Sequence, residues 1–125
     1  MPTTRSVLGD WGEDAVGRFL ERKGYQILDR KYRCRWGEID LVARDGNELV
    51  FIEVRTRRSK LFGTPQESVT EAKVGRLVAT CEDYLENRVD EKLRAETSWR
   101  IDLVAVHPTR GRPPRIDHLR HAVEL

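Results

Sequence analysis

The chain has 125 residues, 38% hydrophobic and 35% charged, with 23 basic and 21 acidic side chains and a net charge of +2. That fits one globular domain over residues 1–125, with a real core and most charge outside it. No apolar run reaches ~18 residues, which argues against a membrane-spanning helix, and "MPTTRSVLGDWGE" lacks the apolar middle of a signal peptide.

A cytoplasmic protein without membrane contact is expected. Cys34 and Cys81 match no ligand spacing and read as free thiols of a reducing compartment.

In chain order, Asp10-Trp11-Gly12-Glu13 reads as a capping box opening a helix, with Ala15, Val16, Phe19 and Leu20 as its apolar stripe. Lys23-Gly24 supplies a glycine stop. "YQILDRKYR" reads as a strand. "EIDLVAR" reads as another, with Ile39, Leu41 and Ala43 on one face and Glu38, Asp40 and Val42 on the other. "DGN" is a turn, and "ELVFIEV" is apolar on both faces, as a central strand should be.

"FGTP" at 62–65 is a loop. Ser68-Val69-Thr70-Glu71 reads as a second capping box, for a helix to about Asn87 with Val74, Leu77, Val78, Cys81 and Leu85 inward. "WRIDLVAV" is a further strand, with Arg100 and Asp102 expected as a sheet-edge pair and surface polar residues. "GRPP" breaks the chain before a short tail. His107, His118 and His121 are scattered and show no zinc spacing. The order α-β-β-β-α-β predicts an α/β fold with a mixed sheet and helices packed on it.

Charge is unevenly spread. Residues 30–60 carry nine basic side chains, Arg30, Lys31, Arg33, Arg35, Arg44, Arg55, Arg57, Arg58 and Lys60, against five acids. Residues 64–97 carry five basic against eight acidic side chains. The cation excess therefore flanks the apolar strand that holds Glu53.

That strand raises a chemical question. A Gly46-Asn47 loop pairs Asp45 with Glu48 and brings Asp40 opposite Glu53. An Asp45-Gly46 loop instead sets Glu38 opposite Glu53, with Asp40 one diagonal away. Either register crowds like charges, which destabilises a sheet unless something compensates. A shared proton, a nearby Arg, or a divalent cation would each do so. Hard oxygen ligands on adjacent strands suit Mg²⁺ or Mn²⁺. Glu13 faces the packed side of its helix and either joins this set or only caps. The competing account is an ion-pair network with Arg55, Arg57 or Arg33.

"GEDA" at 12–15, "GEIDLVARDGNELVFIEVR" at 37–55, "FGTPQESV" at 62–69, Lys73 and "DLVAV" at 102–106 together resemble the YraN-type family of small bacterial proteins. That family is similar to the restriction-endonuclease-like superfamily, with the motif D-x(n)-(D/E)-x-K, to which archaeal Holliday junction resolvases also belong. The resemblance implies the restriction-endonuclease-like α-β-β-β-α-β core. It implies a metal-dependent DNA endonuclease, with branched or damaged DNA as candidate substrates. It also leaves open a non-catalytic DNA-binding or adaptor protein that keeps the nuclease fold.

By position, Asp40 and Glu53 match the motif acids, Glu13 the helix glutamate that assists metal binding, and Lys73 a basic position in the following helix. The motif lysine falls at Arg55, a departure, because arginine stabilises charge but is a poor proton acceptor. The resulting expectation is a catalytic set of Asp40, Glu53, Arg55 and Lys73. The metal set is Asp40, Glu53, Glu13 and Glu38. DNA backbone contacts would come from Arg33, Arg35, Arg57, Arg58 and Lys60, a solvated charged loop being the alternative for the last three. DNA is the expected partner, with no small-molecule cofactor. A homodimer stays open, although no apolar stripe is clearly left over for one.

Overall fold

The computed structural model describes residues 4–56 and 70–123. Helix α1 (Thr4–Arg22) leads into strands β1 (Gln26–Cys34), β2 (Gly37–Asp45) and β3 (Glu48–Thr56). Helix α2 (Glu71–Arg88), a short helix α3 (Glu91–Glu96), and strands β4 (Ser98–Thr109) and β5 (Arg112–Leu119) complete the order. The α-β-β-β-α-β core is present, with α3 and β5 added to it.

The sheet runs β1-β2-β3-β4-β5, antiparallel except for the parallel β3–β4 pair. A parallel neighbour needs a crossover, and α2 lies within the one that returns the chain from β3 to β4. Two apolar layers result. Leu41, Ala43, Val50, Ile52, Val104 and Val106 pack with Ala15, Val16 and Leu20 of α1. Val42, Leu49, Phe51 and Ile101 pack with Leu77, Cys81, Tyr84 and Leu85 of α2. The inward stripes expected on both helices are thus the ones used.

Several expectations are corrected. Asp10 does not cap α1, which begins at Thr4. Its carboxylate and that of Glu13 reach sideways to Lys31 on β1 instead of back to the helix's own N–H groups. At the other end the glycine stop holds. Gly24 has φ 93, with Tyr25 N donating to Leu20 O at 3.0 Å and Gly24 N to Glu21 O at 2.9 Å. The cap of α2 is Thr70, whose backbone is extended and whose Oγ1 accepts from Lys73 N at 3.3 Å. Ser68 lies outside the described residues, as does the "FGTP" loop.

The tail is strand β5. Its alternating residues cover β4, so β4 is an interior strand and Arg100 and Asp102 are 4% and 0% exposed. They are not surface polar residues. Arg100 Nε donates to Asp102 Oδ1 at 3.0 Å, and its Nη atoms donate to Glu48 at 2.5 Å and to the Tyr25 hydroxyl at 2.8 Å. Asp102 Oδ2 lies 2.7 Å from His118 Nε2. Lys23 approaches His118 Nδ1 at 3.2 Å, so the ring's Nε2–H donates to Asp102. Among the described residues, no helix is long and apolar enough to cross a membrane.

Candidate functional site

The β2–β3 hairpin sets the site. Gly46, with φ 62, takes the first loop position, and the ladder runs from Asp45↔Glu48 to Leu41↔Ile52. Of the two expected registers this is the one that carries Asp40 toward Glu53. Past Leu41 the strands part. Asp40 Oδ2 accepts from the backbone N–H of Val54 at 2.7 Å, replacing a ladder carbonyl. The parting also breaks the alternation expected of β2. Ile39 packs with Val42 on the α2 side, not with Leu41 and Ala43.

Burial raises the Asp40 pKa to about 7, helped by the Glu53 charge and opposed by the Val54 N–H. Burial also raises the Glu53 pKa, against the Arg55 charge and a hydrogen bond shared with Asp40. Glu13, only 6% exposed, is raised by burial and then by Asp40, with Lys31 opposing. All three carboxyls are therefore held above their ordinary pKa values. Of the three expected compensations, the structure shows Arg55, whose Nη2 lies 3.3 Å from Glu53 Oε1.

The remaining carboxyl capacity is telling. Glu13 Oε1 is buried without a hydrogen-bond partner among the described residues, and so are Arg55 Nε and Nη2, whose approach to Glu53 has an ion pair's distance but not a hydrogen bond's angle. Buried polar atoms left unpaired are expensive and point to an absent partner. The acids are hard oxygen donors, so their chemistry fits Mg²⁺ or Mn²⁺. Their positions are not those of a closed cage. Among the described residues, no three His, Cys, Asp or Glu side chains converge as a metal-holding group. Lys31 Nζ lies 3.5 Å from Glu13 Oε2, and Glu38 turns outward to Arg33 at 3.3 Å.

A cleft of about 120 Å³ opens between the hairpin and α2, lined in part by Trp36, Glu38, Glu53, Lys73, Arg76 and Thr80. It joins the expected Glu53, Glu38 and Lys73 in one place. Arg33, near the end of β1, and Arg35, on the β1–β2 turn, are exposed near its rim. Arg57, Arg58 and Lys60 lie outside the described residues.

Three residues of this region were not anticipated. Lys31 has φ 54, a rare conformation for a non-glycine residue, and it reaches both Asp10 and Glu13. Nothing local in the sequence announces that backbone. Arg76 and Trp36 line the cleft. For Trp36 a signal existed, an aromatic residue embedded in the basic run of Arg33 and Arg35.

Among curated proteins, the chain is 47% identical over 125 residues to a UPF0102 protein of Roseiflexus castenholzii, covering 99% of this chain and 98% of that one. It is 47% identical over 123 residues to a UPF0102 protein of Chloroflexus aurantiacus, covering 98% of each. It is 43% identical over 123 residues to one of Pelotomaculum thermopropionicum, covering 98% of this chain and 99% of that one. Among solved structures it is similar to Pyrococcus furiosus SfsA in complex with Ca²⁺, at 14% identity and a TM-score of 0.42. The chain spans 64% of that protein's length, with 95% of itself aligned. A likeness that low bears on nothing further. The model of the "Uncharacterised protein family UPF0102" matches residues 12–106, and with those relatives it establishes that the chain belongs to that family, the YraN-type family its motifs resemble.

Proposed function

We propose that this chain is a divalent-metal-dependent DNA endonuclease. The observation that carries the reading is the crowding of Asp40 and Glu53. Two acids with raised pKa values meet where β2 and β3 part, and Glu53 lines a cleft with Lys73 and Arg76. A perturbed acid in a cleft, with a second perturbed acid beside it, is a functional-site signature. Asp40, Glu53 and Glu13, with Glu38 at the rim, would hold Mg²⁺ or Mn²⁺. When bound, the cation supplies Lewis-acid stabilisation of charge on a phosphate.

The chain's own residues then divide the work. Asp40 is fixed by the Val54 N–H and keeps one oxygen free of the backbone. Arg55, in ion-pair contact with Glu53, keeps guanidinium N–H groups without a hydrogen-bond partner among the described residues and stabilises charge building on a phosphoryl group. It does not take a proton, because a guanidinium is a poor proton acceptor. Lys73 and Arg76 hold the DNA backbone along the α2 wall, and Arg33 and Arg35 extend that surface. Arg57, Arg58 and Lys60 belong to the same proposal on charge alone.

A second reading has one specific observation behind it. Arg55 stands where the motif has lysine and is paired to Glu53, which favours a DNA-binding or adaptor protein that keeps the fold without turnover. Cleavage of single-stranded, flapped and four-way-junction DNA in Mn²⁺ separates the two. The nuclease reading expects weak cutting that Arg55→Lys preserves or raises and Asp40→Asn abolishes. If neither the native chain nor Arg55→Lys cuts any substrate while DNA binding persists, the binding reading replaces it.

A further inference from the structure

Trp36 is 43% exposed, one of the few large apolar side chains left in solvent among the described residues. It sits on the turn between β1 and β2, directly on the wall of the cleft that holds Glu53 and Lys73. A solvent-facing tryptophan beside a set of phosphate-binding cations is unlike the core aromatics of this chain. Phe51, Tyr84 and Trp99, for example, pack edge to face against one another.

The turn that carries Trp36 is fixed. A Cβ at Gly37 would already meet Thr80 Oγ1 of α2 at 3.4 Å, so the hairpin rests against the helix. Trp36 N donates to Cys34 Sγ at 3.4 Å, closing the turn from within. The Arg35 guanidinium lies over the indole, 4.4 Å from the ring centroid. That stack orients the ring and adds a cation next to it. A rigid aromatic plane, a guanidinium on it, and Lys73 and Arg76 across the cleft make a surface for a planar aromatic group joined to an anion. A nucleobase with its phosphate has that chemistry. Stacking reaches a base only when the base is not paired inside a duplex.

We propose that Trp36 is a base-stacking platform, so the cleft takes DNA with an unpaired nucleotide next to the phosphate that meets Glu53. This rests on the nuclease reading and names the substrate feature that the same site would select. The Arg35–Trp36 pair holds the unpaired base while Lys73 and Arg76 hold its backbone.

The test is binding without cleavage. Fluorescence titrations with the native chain in EDTA use a blunt duplex and the same duplex carrying a single-stranded flap, with 2-aminopurine as the first unpaired base. The native chain should prefer the flapped DNA and quench the 2-aminopurine. Trp36→Ala should weaken flap binding by about 5- to 150-fold, the range of one stacked base, and leave blunt-duplex binding unchanged. Trp36→Phe should retain most of the preference. Equal losses on both DNAs, or no loss on either, overturn the proposal, provided thermal melts show both variants folded. Its failure is separable from that of the nuclease reading. A native chain that cuts in Mn²⁺ while Trp36→Ala binds flaps normally removes the stacking role alone. A chain that never cuts but loses flap preference on Trp36→Ala removes catalysis alone.

Discussion

Asp40 Oδ2 accepts the backbone N–H of Val54 at 2.7 Å, so a side chain of β2 occupies a ladder position on β3. The contact tethers an acid where it is crowded by Glu53.

This gives the first prediction. The Asp40 pKa rises from 3.8 to about 7, so the fold favours its protonated form. That contribution is full below about pH 4 and is lost as pH rises through about 7. Metal-free stability should therefore decline across that window, and Asp40→Asn should flatten the decline. At pH 8 the variant should melt at or above the native temperature, since the substituted amide oxygen would still accept from Val54 without the repulsion. Mn²⁺ should stabilise the native chain and not the variant. Calorimetric melts with and without Mn²⁺ decide this, and a clear metal-free loss would favour a structural ion-pair network.

Asp102 should behave in the opposite way. Burial alone pushes its pKa up, but hydrogen bonds from His118, Arg100 and the His121 N–H outweigh that and lower it overall. Its stabilisation is present above its ordinary pKa of 3.8 and is lost as pH falls below it. Asp102→Asn breaks a buried pair with Arg100, a loss of about 3–5 kcal/mol. The melting temperature should drop by roughly 10 °C or more, with no dependence on Mn²⁺. A melt within two or three degrees of native would contradict this.

Lys31 competes with any cation for Glu13. Lys31→Met should tighten Mn²⁺ binding about fivefold, the effect of one screened unit charge worth ~1 kcal/mol. Isothermal titration calorimetry reads it directly. Unchanged or weaker binding would mean that the Lys31–Glu13 contact only joins α1 to β1.

Gly12 sets how closely α1 approaches β3. A Cβ there would overlap Thr56 Oγ1. Gly to Ala within a helix normally stabilises by about 1 kcal/mol. Here Gly12→Ala should instead destabilise by about 1–3 kcal/mol through overpacking, and it should weaken Mn²⁺ binding by lifting Glu13 away from Asp40. Adding Thr56→Ala should recover both. A stabilised Gly12→Ala single variant would show that Thr56 turns aside freely.

The sequence by itself determined the order of the core elements and both helix stripes, and narrowed the hairpin to two registers. Each rests on local periodicity or on a single turn, and neighbouring residues carry that information. Both registers crowd acids around Glu53, and the folded hairpin takes the one that pairs Asp45 with Glu48 and carries Asp40 toward Glu53. Tertiary structure decided the rest. Arg100 and Asp102 look like surface residues until β5 pairs with β4, and "GRPP" gave no sign that the tail would return as a strand. Asp10 looks like a helix cap until Lys31, 21 residues on, offers a stronger partner. The unpaired oxygen of Glu13 and the exposed ring of Trp36 depend on what packs around them. Burial and long-range charge are sums over distant residues, so no short stretch of the chain encodes them.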